Sequence, residues 1–175
     1  MGQDENGGKQ MNHGEKAEAL FRQGYNCSQA VACAFDDLAG QDRETLARMA
    51  SSFGGGMGRL REVCGTVSGA LLVLGLACGY SDPGDPEAKK AHYRLVQEYA
   101  ARFRERNGSI VCRELLKGIE TTPGGDPEPR TEEFYRKRPC ARLAREAAEI
   151  LDGMLEERGT VQAGKACEKA EGILK

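Results

Sequence analysis

Apolar residues recur at helical spacing along most of the chain, and polar or glycine-rich breaks separate the periodic segments. Over 15–23, Ala19, Leu20 and Phe21 precede Gly24, a suitable helix C-terminus. Asn26 offers an N-cap for a helix over 27–38, where Ala30, Val31, Ala34, Phe35 and Leu38 share a face. Asp42 caps a third segment with a stripe of Leu46, Met49, Ala50 and Phe53. Beyond the SDPGDP loop, Pro86 opens a long helix that ends at Asn107-Gly108, with Ala88, Ala91, Leu95, Tyr99 and Phe103 facing one way. Ser109 caps a short helix carrying Cys112, Leu115 and Leu116, and the polar TTPGGDPEP stretch after it is expected to hold no core residue. Pro139 opens the last clear helix, lined by Leu143, Ala147, Ile150, Leu151 and Met154.

One stretch departs from this one-sided pattern. FGGGMGRLREVCGTVSGALLVLGLACGY, residues 53–80, begins with a loop containing Gly54, Gly55, Gly56 and Gly58 and continues into a run that is apolar all round. A helix without a polar face is expected to be enclosed by others. The pattern therefore predicts an all-α fold, a compact helical bundle around a central apolar helix over 66–77. Residues 14–158 are expected to form one helical domain, flanked by a flexible tail over 1–13 and a polar, glycine-broken C-terminal tail over 159–175 that reads either as a frayed helix or as disorder.

Composition narrows the functional classes. The 175 residues suit a single domain, and 25 Lys and Arg against 27 Asp and Glu leave no broad field to recruit nucleic acid or an anionic membrane. The N-terminal stretch has no apolar region of a secretory signal, and the central run is too short and glycine-interrupted for a bilayer span. A cytoplasmic protein without membrane insertion is expected. Seven cysteines, at 27, 33, 64, 78, 112, 140 and 167, are many for that compartment, and an odd number cannot pair completely within one chain.

Four of them share a context. Cys27, Cys64, Cys112 and Cys140 each fall in the first turn of a predicted helix, where unpaired N–H groups and the positive dipole end favour thiolate. Gathered at one point, four such ends would make a positive pocket that lowers thiol pKa values. Cys33 and Cys78 sit within or at the end of apolar runs and read as packing residues, and Cys167 lies in the tail. A buried, inert cysteine is the common alternative for any one of them. The absence of CxxC removes the local signature of a thioredoxin-type dithiol or a zinc knuckle, and the absence of CxxCH removes that of c-type haem.

YNCSQAV around Cys27, FGGGMG followed by CGTVSGALLVLGL at Cys64, CREL at Cys112 and the cysteine opening the last helix, Cys140, occur in the order and context of a known family. The chain resembles the C_GCAxxG_C_C family of small redox-active proteins, defined by four cysteines and a CGAxxG motif. The resemblance covers most of the chain, with Thr66 where the motif has alanine. It implies an all-helical fold and redox activity carried by Cys27, Cys64, Cys112 and Cys140, and iron–sulfur clusters are suspected in some related domains. It names no substrate. Were a cofactor held, the backbone of Gly54, Gly55, Gly56, Gly58, Gly65 and Gly69 would be the part able to approach it.

Other signals are thin. The glycine loop lacks a GK[ST] ending and follows no predicted strand, so a phosphate loop is not indicated. His92 reads as a helix-surface histidine, and Arg136-Lys137-Arg138 as a solvated face without a role. Three functions follow. The first is thiol/disulfide electron transfer by a thiol oxidoreductase with a redox partner protein. The second is binding of an iron–sulfur cluster, or of structural zinc, by the same four cysteines. The third is a helical interaction module with inert cysteines. Assembly into a homo-oligomer is left open by the sequence.

Overall fold

The computed structural model describes residues 11–159. The fold is all-α, with no strand among the described residues. Asn12 and Asn26 both form capping boxes, and they start α1 (His13–Arg22) and α2 (Cys27–Ala34). Asp42 starts α3 (Arg43–Ala50) by accepting from the Thr45 N–H at 2.9 Å. A 3₁₀ turn over Ser51–Phe53 leads into α4 (Gly54–Met57), a single distorted turn. Then follow α5 (Gly65–Cys78), α6 (Pro86–Asn107), the one-turn α7 (Cys112–Leu115), α8 (Glu132–Lys137) and α9 (Cys140–Glu156). The first helix therefore starts at His13, inside the stretch read from sequence as a tail. Residues 1–10 and 160–175, which hold the rest of both expected tails and Cys167, lie outside the described residues.

The most enclosed helix is α2, in which Ala30 to Ala34 are all fully buried. It packs against α1, α3, α5 and α9, and α1 closes the far side by lying along α9. The apolar α5 packs on α2, α6 and α9. Its first half is buried through Val67 and Ala70, whereas Leu76 near its end is 37% exposed. The centre is thus shared: short, alanine-rich α2 sits inside, and α5 leans on it. Two expected core positions face outward, Met49 on α3 and Ala91 on α6. The first turns of α6 project beyond the bundle, and its anchoring residues are Tyr99 and Phe103. The buried Tyr99 hydroxyl donates to the Ala147 carbonyl at 2.9 Å, which pins α6 to α9.

Candidate functional site: four cysteines and four arginines around one cavity

Each of the four family cysteines stands where a helix begins. Cys27, Cys112 and Cys140 are the first residues of α2, α7 and α9, and Cys64 is the N-cap of α5. Two local devices bring these starts together. The first is an isolated antiparallel bridge between Val63 and Val111, in which Cys64 N–H donates to Ile110 O at 2.8 Å and Cys112 N–H to Glu62 O at 2.6 Å. It ties the entries of α5 and α7 side by side. The second is close approach at the CGTVSG motif. A Cβ on Gly65 would lie 2.4 Å from Cys27 Sγ, and one on Gly69 would lie 2.4 Å from Ser28 O. Only glycine lets α5 approach the start of α2 so closely.

All four cysteines line a single cavity of about 340 Å³. Gly54, Gly55 and Gly58 also line it, whereas Gly56 stands behind, against Cys112 Cβ. Gly55 N–H donates to Cys27 Sγ at 3.4 Å. Cys64 Sγ shares a hydrogen bond with Thr66 Oγ1 at 3.2 Å, so the one departure from the family motif supplies a polar partner to a site cysteine. Cys33 is buried elsewhere, with its thiol toward Arg43 O at 3.6 Å.

Burial decides the charge state. It pushes the Cys64 and Cys112 thiols up and takes Cys140 up to about 12, from an ordinary 9.0. Charge on Cys27 pushes all three further, while Arg61 and Arg138 oppose the rise at Cys112, and Arg138 and Arg130 do so at Cys140. The expectation that helix starts would lower these pKa values is therefore corrected. Desolvation by burial outweighs the dipole of a first turn.

The arginines were not anticipated. Arg59, Arg61, Arg130 and Arg138 line the cavity, against one carboxylate, Glu128. Glu128 pairs with Arg59 at 3.4 Å, with Arg61 at 3.5 Å and, more closely, with Arg138. Arg130 stacks over Phe21 and Phe134 with centroids 4.4 and 4.8 Å away. Arg138, read from sequence as part of a solvated run, has only 7% of its side chain exposed. The stretch over 121–130 holds no buried residue, as expected, yet it carries Glu128 and Arg130 and is fastened to Arg59 by the Gly124 N–H donating to Arg59 O at 2.8 Å.

A run of left-handed backbone aims the first two arginines. Gly55, Gly56, Met57, Gly58, Arg59 and Arg61 all have φ between 58° and 69°, a conformation costly for Met57, Arg59 and Arg61. Such strain persists where surrounding structure enforces it. The signal available in the sequence was GMGRLR itself, two spaced glycines followed by two spaced arginines, ending three residues before a site cysteine.

The family model described as "Putative redox-active protein (C_GCAxxG_C_C)" matches residues 25–154. The chain belongs to this family. No curated protein and no solved structure matches it. In this member of the C_GCAxxG_C_C family, no helix among the described residues is long and apolar enough to cross a membrane. No group of three or more His, Cys, Asp or Glu among those residues is arranged to hold a metal ion.

Proposed function

We propose that this protein is a thiol redox protein in which Cys27 exchanges with a disulfide and a neighbouring cysteine, Cys64 first, resolves the product. The observation that carries this reading is the placement of Cys27 on one cavity with Cys64, Cys112 and Cys140, where the Gly55 N–H donates to its sulfur at 3.4 Å. Its sulfur rests on Gly65, the residue after Cys64. The Cys27 thiolate attacks one sulfur of an oxidised partner, forming a mixed disulfide and releasing the partner's other sulfur as thiolate. The released partner thiolate takes the Cys64 proton, and the Cys64 thiolate so formed attacks Cys27 Sγ and displaces the second partner thiolate. Two electrons pass to the partner, the two cysteine protons end on its thiols, and the protein holds a Cys27–Cys64 disulfide. Stepwise addition of a disulfide oxidant to the reduced protein, followed by peptide mapping, tests this. Besides the disulfide of Cys78, the expected product is one disulfide containing Cys27, with Cys27→Ser losing fast exchange and Cys33→Ala retaining it. Oxidation that bypasses Cys27 would sink the assignment.

A second reading is favoured by one observation, the excess of guanidinium over carboxylate around four thiols that are all free. That charge suits an iron–sulfur cluster held by Cys27, Cys64, Cys112 and Cys140, which would supply one-electron transfer. Anaerobic purification with an absorption spectrum and iron and sulfide analysis separates the two. Visible bands with stoichiometric iron and sulfide establish the cluster, and a colourless protein with titratable thiols supports dithiol exchange.

A further inference from the structure

Four guanidinium groups facing one carboxylate exceed what the fold needs to neutralise Glu128. Their hydrogen-bonding capacity is also unspent. Arg61, with 4% of its side chain exposed, leaves Nε buried and without a partner. Arg130 leaves Nη1 in the same condition, and Arg59 leaves Nε. A buried guanidinium N–H without an acceptor is costly, and an anion in the cavity removes the cost. Cys112 takes one hydrogen bond from Arg61, but burial keeps Cys64, Cys112 and Cys140 protonated at neutral pH, so these thiols supply no negative charge to the arginines. The planar fork of arginine matches carboxylate, and a cavity of about 340 Å³ is in the size range of small-molecule sites.

We propose that the oxidant reduced at this site is a small disulfide bearing carboxylate groups, held by Arg61 and Arg130 with its sulfur–sulfur bond at Cys27. The assignment rests on the thiol exchange reading and specifies its substrate class. The Cys27 thiolate attacks one sulfur of R–S–S–R to give Cys27–S–S–R and RS⁻. The released RS⁻ takes the Cys64 proton, and the Cys64 thiolate so formed displaces the second RS⁻, so the small disulfide gains two electrons and the two cysteine protons and leaves as two carboxylate-bearing thiols. The arginines contribute by orienting the disulfide and by offsetting the repulsion between an anionic oxidant and an attacking thiolate.

The test compares three small disulfides of similar size as oxidants of the full-length reduced protein at low salt: dianionic 3,3′-dithiodipropionate, neutral bis(2-hydroxyethyl) disulfide and dicationic cystamine. The expected result is a rate for the dianion at least about tenfold above that of the neutral compound, with cystamine slowest and the preference reduced by added salt. Suberate, which replaces the two sulfurs by methylenes, should compete with the dianion. Arg61→Gln and, separately, Arg130→Gln should each narrow the dianion-to-neutral ratio, and either variant suffices if the other does not fold. Equal rates for all three disulfides, or a neutral preference, overturn the substrate class and leave dithiol exchange standing. Failure of all three to oxidise Cys27 overturns the exchange reading and this assignment with it.

Discussion

Thr66 shows how one side chain adjusts a buried thiol. Burial and the charges of Cys27 and Cys140 raise the Cys64 pKa, and the hydroxyl 3.2 Å from Sγ works in the opposite direction by donating to the thiolate. Thr66→Ala should remove roughly 1 kcal/mol of that stabilisation, and iodoacetamide labelling followed by peptide mass spectrometry should show Cys64 alkylated several-fold more slowly. An unchanged rate would mean that the hydroxyl donates elsewhere. His13 carries a second residue-scale effect. Burial of its ring pulls the pKa down, but hydrogen bonds and charge from Asp152 at 2.6 Å and Asp37 at 3.0 Å outweigh this, and the net shift is upward from 6.5. Because the folded value lies above the unfolded one, the stabilisation is complete below about pH 6.5 and is lost as pH rises through the folded pKa. His13→Gln should therefore lower stability by on the order of 1 kcal/mol in mild acid and by less at alkaline pH, as read by urea unfolding at both. The cysteines themselves were legible in the sequence because a helix start is marked locally, by Asn26 before Cys27 or Pro139 before Cys140. Their protonation was not, because burial is set by parts of the chain far away.

Among the elements, the longer helices were legible, whereas the distorted turn α4, the short α8 and the loops were not. Caps and apolar spacing marked α2, α3, α6 and α9, since each signal lies within one turn of the residue it governs. The polar stretch over 121–130 carries no apolar periodicity, yet its Glu128 and Arg130 complete the cavity wall through ion pairs and ring stacking that only the assembled fold supplies. The same limit hid Arg61, whose inward course depends on a left-handed run of backbone. The contact between α2 and α5 makes an element-scale prediction. A methyl at position 69 would meet Ser28 O at 2.4 Å, and neither helix can yield without shifting Cys27 from Gly65. Gly69→Ala should cost roughly 1–3 kcal/mol by overpacking, visible as a lower melting temperature, and Gly69→Leu should cost more. A melting temperature equal to the parent's would show that the helices separate freely at this crossing.

At the scale of the molecule, the site is the point where four otherwise separate elements meet, so its redox state is coupled to the stability of the whole bundle. A disulfide between Cys27 and Cys64 would join the starts of α2 and α5 and close a loop of roughly 37 residues, for which the chain-entropy model gives about 4 kcal/mol. For a domain of this size that corresponds to a rise in melting temperature of roughly 10 °C, less whatever strain the bond imposes. Oxidised protein should therefore melt several degrees above reduced protein. Cys78 is disulfide-bonded in its own right, so the part of the difference that belongs to the cavity is the part lost in Cys27→Ser, and it should persist in Cys33→Ala, whose thiol sits away from the cavity at Arg43 O. The sign of the change carries the argument. A positive shift that depends on Cys27 means that the folded chain already holds two sulfurs within bridging reach. A negative shift means that the bundle must distort to pair them, and four thiols set too far apart for a disulfide around a cationic cavity are the arrangement expected of an iron–sulfur cluster site.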